Sequence, residues 1–364
     1  MFTYLDNKIQ LVQSQEERLR RDAKKPFLQH IHYFRGFAII NIVMIHMLFP
    51  YLGEHVALFN NARIGVELVF ADSTIYFILI AGFLFSYLAH KIRIKAYYKV
   101  KFKNVILPYI IITFMVTLFK SRHELADLNV LAFLNSLLEN ILLGKALIPF
   151  WYIPFIAIVF LMSPFFLMIS DKTFKKITIV AIFLPLLGSR PTIDLTVWHF
   201  FYYVPVYMLG ILIARNYTEI LAKVMRYKVW LYAAIVVSSL LLLYNLQIPE
   251  ETYFMQRNVY YGLFYIQKIS ISFLLLNFLQ RFDSKKINWL DYLAVYSFSI
   301  YFLHSIVQYP VQKIMYMAPL RPYIDMAPVL YIFLVAIVIL VVTLLACIVL
   351  NRILGKYSRM LIGA

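Results

Sequence analysis

Cysteine is almost missing from this chain. Cys347 stands alone among 364 residues and lies inside the last apolar run. No disulfide framework, zinc-ligand set or redox pair is therefore possible within one chain, and Cys347 reads as a small buried or lipid-facing residue. Charge is scarce too, at 15% against 62% hydrophobic residues. A soluble domain of this length is nearer a quarter charged, and this apolar excess is too large for a single buried core. Acidic residues number 18 against 35 Lys and Arg, a formal net charge of +17. A nucleic-acid binder gathers its basic residues on one soluble face. Here they fall in short clusters between apolar stretches, as in a membrane protein, so no nucleic-acid partner is expected. A cleavable signal peptide is not evident either: residues 1–33 carry Glu16, Glu17, Arg18, Arg20, Arg21, Lys24 and Lys25, too polar for its apolar region. No internal repeat, soluble domain or metal-ligand spacing is visible.

What is present is a succession of apolar runs. A helix needs roughly 17–25 mostly apolar residues to cross the hydrocarbon, and such stretches lie near 34–51, 64–89, 104–120, 149–169, 177–189, 196–214, 229–246, 259–279, 289–309 and 327–350. The fifth is short and contains Pro185. Basic residues alternate along this series. The leader, the loop 90–103 (Lys91, Arg93, Lys95, Lys99, Lys101, Lys103) and every second connection after it are rich in Lys and Arg. The intervening loops carry only Arg63, Lys120, Arg122, Lys145, Arg190, Arg257, Lys313 and Arg321. The positive-inside rule then places both termini in the cytoplasm. The expectation is an all-α, polytopic membrane helix bundle of about ten transmembrane helices. A charged cytoplasmic leader covers 1–33, one membrane domain 34–350, and a cytoplasmic tail 351–364.

Ionisable residues inside such spans are costly and need a reason. Arg35 and His46 in the first span are eleven residues apart, about 1100° on a helix, so both project from one face, about 16 Å apart along the axis. A snorkelling Arg and a hydrogen-bonded His would explain either residue alone; the shared face favours function. Glu67, His199 and His304 lie at the depth of His46, and Trp151 and Tyr152 open the fourth span. A carboxylate beside an imidazole fixes its tautomer and raises its basicity, so Glu67 is the expected orienter of His46. His304 is expected to bind acceptor or stabilise charge, whereas His199 reads as an interfacial histidine. Deeper in, Asp72 and Lys268 match in depth and oppose in charge, which suggests a structural ion pair.

These residues resemble the acyltransferase-3 membrane proteins, which include O-acetylases of O-antigen, peptidoglycan and exopolysaccharide and the intercellular-adhesion protein C group of poly-N-acetylglucosamine loci. The resemblance covers about residues 31–350. Its hallmark, Arg-x10-His in the first span, is matched by Arg35 and His46. Ala81-Gly82-Phe83 at the end of Tyr76–Phe83 looks like the family's Ser-Gly-Phe, with Ala81 in place of serine. Lys103–Tyr109, Phe150–Ile153, Met208–Ile211 and Tyr296–His304 follow in the family's order. One departure stands out. Many relatives carry Arg-x-x-Arg before the third span, whereas this chain, like the adhesion-protein group, departs from it and reads Lys101-x-x-Asn104, a point charge without the planar fork of arginine.

The resemblance implies transfer of an acetyl or succinyl group from cytoplasmic acyl-CoA to a hydroxyl of an extracytoplasmic polysaccharide or lipid-linked glycan. Acetyl-CoA or succinyl-CoA is then a co-substrate, with no permanently bound cofactor and no metal. Arg35, Lys101 and Lys103 would handle the donor phosphates. His46, near neutrality in its unperturbed pKa of about 6.5, would act as general base or as nucleophile, with Glu67 and His304 beside it. Trp151 and Tyr152 would meet the glycan acceptor. The implied partners are the lipid bilayer and a polysaccharide synthase or export complex. Two other readings stay open: an exopolysaccharide exporter or flippase, and a non-catalytic scaffold for a synthase.

Overall fold

In a computed structural model of the chain, the described residues are 26–47, 56–89, 93–122, 129–188, 195–246, 253–315 and 326–364. The leader up to residue 25 and the loops carrying Lys91, Arg190 and Arg321 lie outside them. The described residues hold helices and no strand. In order these are α1 (Gln29–His46), α2 (Val56–Phe70), α3 (Thr74–Tyr87), α4 (Ile94–Lys101), α5 (Leu107–Lys120), α6 (Val130–Leu143), α7 (Tyr152–Phe166) and α8 (Asp171–Ala181). Then follow α9 (Val197–Arg215), α10 (Tyr217–Leu246), α11 (Tyr253–Leu279), α12 (Asn288–Val295), α13 (Ser297–Met315), α14 (Pro328–Leu354) and α15 (Ser358–Leu361).

Seven helical runs among the described residues are long and apolar enough to cross a membrane, or eight if α12 and α13, bent by 80°, form one span. They account for eight of the ten expected spans. The other two differ for separate reasons. α1 is an 18-residue helix over the expected first span, but His30, His32, Arg35, Asn41 and His46 dilute its apolar character, and residues 48–51 lie outside the described ones. The expected fifth span, 177–189, coincides with the end of α8 and a 3-10 turn at Leu184–Leu186. At eleven residues, α8 rises about 16 Å, roughly half the hydrocarbon thickness. It buries Phe174, Thr178 and Ala181 on one side and exposes Lys172, Lys175 and Lys176 on another. Its cap is local: the Ser170 hydroxyl accepts from the Thr173 N–H at 3.4 Å.

The chain divides into two compact units. The first holds Phe77–Tyr227 with the described residues up to Gln29, and its centre is a backbone contact between α3 and α9. A Cβ added to Gly82 would stand 2.0 Å from the Tyr207 carbonyl oxygen, and one added to Gly210 would stand 2.1 Å from that of Leu79. Small residues let membrane helices approach this closely. Both glycines fall in the motif fragments noted in the sequence, which thus meet face to face.

The second unit holds His30–Tyr76 and Lys228–Ala364. The N-terminal turns of α1 are fastened to the segment between α11 and α13. His30 bonds Asp283 through its backbone N–H and through Nδ1, each at 2.8 Å. Tyr33 donates to the Lys285 carbonyl and accepts from the Ile287 N–H, both at 2.8 Å. His32 Nε2 lies 3.1 Å from Asp291. Gly36 passes so close to α12 that a Cβ there would meet the Leu290 carbonyl oxygen at 2.8 Å. These contacts set the rotation of α1, and with it the direction of its polar stripe.

Candidate active site

α1 and α13 meet along one face of each. Residues 297, 301, 304, 308 and 312 of α13 follow a spacing of three or four, which puts Ser297, Tyr301, His304, Gln308 and Gln312 within about 80° of one another. This polar stripe runs against α1. Arg35 Nη2 donates to Ser297 Oγ at 3.0 Å. Near the other end of the helix, the His46 and His304 rings stand 5.3 Å apart between centroids, tilted by 38°. Arg35 and His46 therefore share a face, and both ends of that face meet α13. Between them on the same side, Ala38, Ile39 and Ile42 are buried and apolar.

The chemistry of the histidine pair is set by its surroundings. His304 is completely buried, with Nδ1 at 3.0 Å from the Ile300 carbonyl and 2.9 Å from that of Tyr301. Both partners only accept, so Nδ1 carries the proton and Nε2 presents a lone pair, with the Ser305 hydroxyl 3.3 Å away. His46 closes α1, where carbonyls lack helical partners. Gln308 Nε2 donates to the His46 carbonyl at 2.6 Å and to Gln312 Oε1 at 3.3 Å. Gln312 Nε2 in turn donates to the Met47 carbonyl at 3.4 Å. Since carbonyls cannot donate, both amide orientations follow. Ser297, Gln308 and Gln312 were not singled out in the sequence; the signal for the glutamines is their i, i+4 and i+8 spacing from His304.

Glu67, the expected orienter of His46, is held by Arg63 on its own helix at 3.3 Å; the side chain that meets His46 is the His304 imidazole. Asp72 interrupts the span between α2 and α3 with a left-handed φ of 59°, a conformation that aspartate tolerates better than most residues. The break frees three carbonyls of α2. Ser73 Oγ takes that of Phe70 at 2.7 Å, Gln267 Nε2 that of Leu68 at 3.2 Å and Lys268 Nζ that of Val69 at 2.6 Å. Lys268 is fully buried and the Asp72 carboxylate acts on it electrostatically.

The remaining expected residues belong to the first unit. Lys101 Nζ sits 3.9 Å above the Phe160 ring and 5.5 Å from that of Tyr97, a cation–π setting. A π-helical turn follows at Phe102–Ile106 and carries the exposed Lys103 and the half-buried Asn104; such turns recur at functional sites. Trp151 and Tyr152 are buried, at 6% and 8% exposure. Trp151 packs 4.8 Å from His199 and 5.5 Å from Tyr203. His199 is wholly buried and caps α9, its Nδ1 accepting from the Thr196 N–H at 3.1 Å.

The family model described as an acyltransferase domain, acyltransferase-3, matches residues 28–351. This chain belongs to the acyltransferase-3 family. It is a multi-pass membrane protein whose family supports acyltransferase activity. No curated protein and no solved structure matches it.

Proposed function

We propose that this protein transfers an acetyl or succinyl group from cytoplasmic acyl-CoA to a hydroxyl of an extracytoplasmic polysaccharide or lipid-linked glycan in the cell membrane. The observation that carries the reading is the common face of Arg35 and His46 along α13, a fixed cation near one end and an imidazole pair near the other. Membership of the acyltransferase-3 family supports the class of reaction.

In this reading Arg35 holds the donor; Lys101 and Lys103, which belong to the first unit, are the basic residues that favour donor phosphates electrostatically. The thioester is delivered to His46, at the other end of that face. His46 takes the proton of the acceptor hydroxyl as its oxygen attacks the thioester carbonyl. The tetrahedral intermediate collapses, the carbon–sulfur bond breaks, and the departing thiolate takes the proton back from the imidazolium. An ester and a free thiol result. His304, its Nδ1 proton held by two backbone carbonyls, stands beside the ring of His46. Glu67 contributes to the field at the same depth, and Trp151 and Tyr152 serve acceptor recognition.

His46→Ala is expected to abolish acylation of the surface glycan while leaving membrane insertion intact, read by mass spectrometry of the purified polymer. Normal acyl content in that polymer removes His46 from the mechanism. An exporter is the second reading, favoured by the left-handed interruption at Asp72 within one span and Lys268 bonded to a carbonyl beside it, since transporters build binding sites at interrupted helices. Unmodified polymer trapped inside the variant cell supports export; exported polymer without acyl groups supports transfer.

A further inference from the structure

α8 combines charge and apolar surface on one face, away from the histidine pair. The segment packs on α9 in the opposite direction. Arg215, at the end of α9, donates to Asp171, at the start of α8, at 2.6 Å. A Cβ added to Gly188 would stand 3.3 Å from the ring of Trp198, in the first turn of α9. The lysines of α8 therefore lie level with the end of the α9 span, and the residues after them lie level with its apolar length.

The two sides of α8 differ in chemistry. Phe174, Thr178 and Ala181 are buried. Lys172, Lys176, Ile179 and Val180 share the other side by their spacing, and all four are exposed. Cations come first along that face and apolar side chains follow. A second set of cations belongs to α10. Lys223 Nζ lies 2.6 Å from Glu219 Oε1, and Lys175 Nζ lies 3.9 Å from the same oxygen. One carboxylate is thus shared between α8 and α10. Arg226, three residues beyond Lys223, is exposed on the same side of α10.

Counter-charge is short here. Among the described residues of the first unit the carboxylates are Glu139, Asp171 and Glu219. Lys145 takes Glu139 and Arg215 takes Asp171. Lys172, Lys175, Lys176, Lys223 and Arg226 are left with Glu219 between them. Such a cluster attracts a phosphate group. A free phosphate would leave Ile179 and Val180 uncovered, whereas a phospholipid meets both halves of the face, headgroup on the cations and chain on the apolar residues.

We propose that Lys172, Lys176, Lys223 and Arg226 hold the headgroup of an anionic phospholipid, with its acyl chain along Ile179 and Val180. The lipid joins α8 to α10 where Glu219 alone joins them otherwise.

The test uses the full chain in nanodiscs of phosphatidylcholine and phosphatidylglycerol, with retained lipid counted by native mass spectrometry. Lys172→Gln combined with Lys176→Gln is expected to lower retained phosphatidylglycerol at least about tenfold, with phosphatidylcholine unchanged. Lys95→Gln combined with Lys99→Gln removes the same charge from exposed positions on α4, and is expected to change retention less than about twofold. Val180→Asn keeps every cation and is expected to lower retention about threefold. Undiminished retention in the α8 double variant, or an equal loss in both double variants, overturns the site. Retention that survives Val180→Asn and is displaced by inorganic phosphate identifies a free phosphate and overturns the lipid.

Discussion

Gln308 lies one helical turn beyond His304 on α13 and ties off the backbone carbonyl of His46 at 2.6 Å. One helix therefore supplies both the ring that faces His46 and the amide that fixes where His46 ends.

Gln308→Leu leaves the His46 carbonyl and Gln312 Oε1 without their donor. An unsatisfied buried acceptor costs about 1–3 kcal/mol. The melting temperature in detergent is expected to drop, and Gln308→Glu, which has the shape without the donors, is expected to behave like leucine. A glutamate variant as stable and as reactive toward a histidine-directed reagent at His46 as the parent would contradict this.

Gly82→Ala sets a methyl group against the Tyr207 carbonyl, and Gly210→Ala sets one against that of Leu79. Backbone cannot swing aside as a side chain does, so each substitution is expected to cost about 1–3 kcal/mol through overpacking. The two probe one contact, so their costs are expected to fall short of additivity in a double-mutant cycle. Full additivity would place them in separate environments.

Lys268→Met removes the ammonium from the Val69 carbonyl and leaves Asp72 buried beside the break. The Val69 carbonyl loses its donor, which costs about 1–3 kcal/mol, and the electrostatic action between Lys268 and Asp72 is lost with it. Adding Asp72→Asn is expected to restore much of it. If the double variant is no more stable than Lys268→Met, the two charges are uncoupled.

His32 gives a pH dependence. Burial first, and the Arg35 charge second, hold its pKa below the ordinary histidine value, with Asp291 opposing. The neutral ring is favoured in the folded state, so this contribution is complete above about pH 6.5 and is lost as pH falls through the lowered value. Thermal stability is expected to decline on acidification below that point, and less steeply in His32→Gln. An identical pH profile for the variant would assign the acid sensitivity to other groups.

The membrane helices were legible because apolar runs of span length have few other uses, and the common face of Arg35 and His46 followed from spacing alone. Asp72 shows where legibility ends. No glycine or proline marks the break, and the left-handed turn is held by Lys268 and Gln267, some two hundred residues away in sequence. The π-helical turn at Phe102–Ile106 likewise has no sequence signature. Gln308 and Gln312 carry no charge to mark them in an apolar run, although they share the His304 stripe. The spacing that suggested Glu67 for His46 fixed depth but not azimuth, and on its own helix Glu67 lies one turn from Arg63.

The interruption at Asp72 also decides what steers α2. A continuous spiral would lock its azimuth to that of α3, so that turning either rod would turn the other. Here the hydrogen-bond ladder lapses between Phe70 and Thr74, and the loose carbonyls of Leu68 and Val69 are gripped by neighbouring side chains of α11. The last turn of α2 is thus anchored by side chains of α11 as well as by the packing of Phe70 on Phe333 of α14.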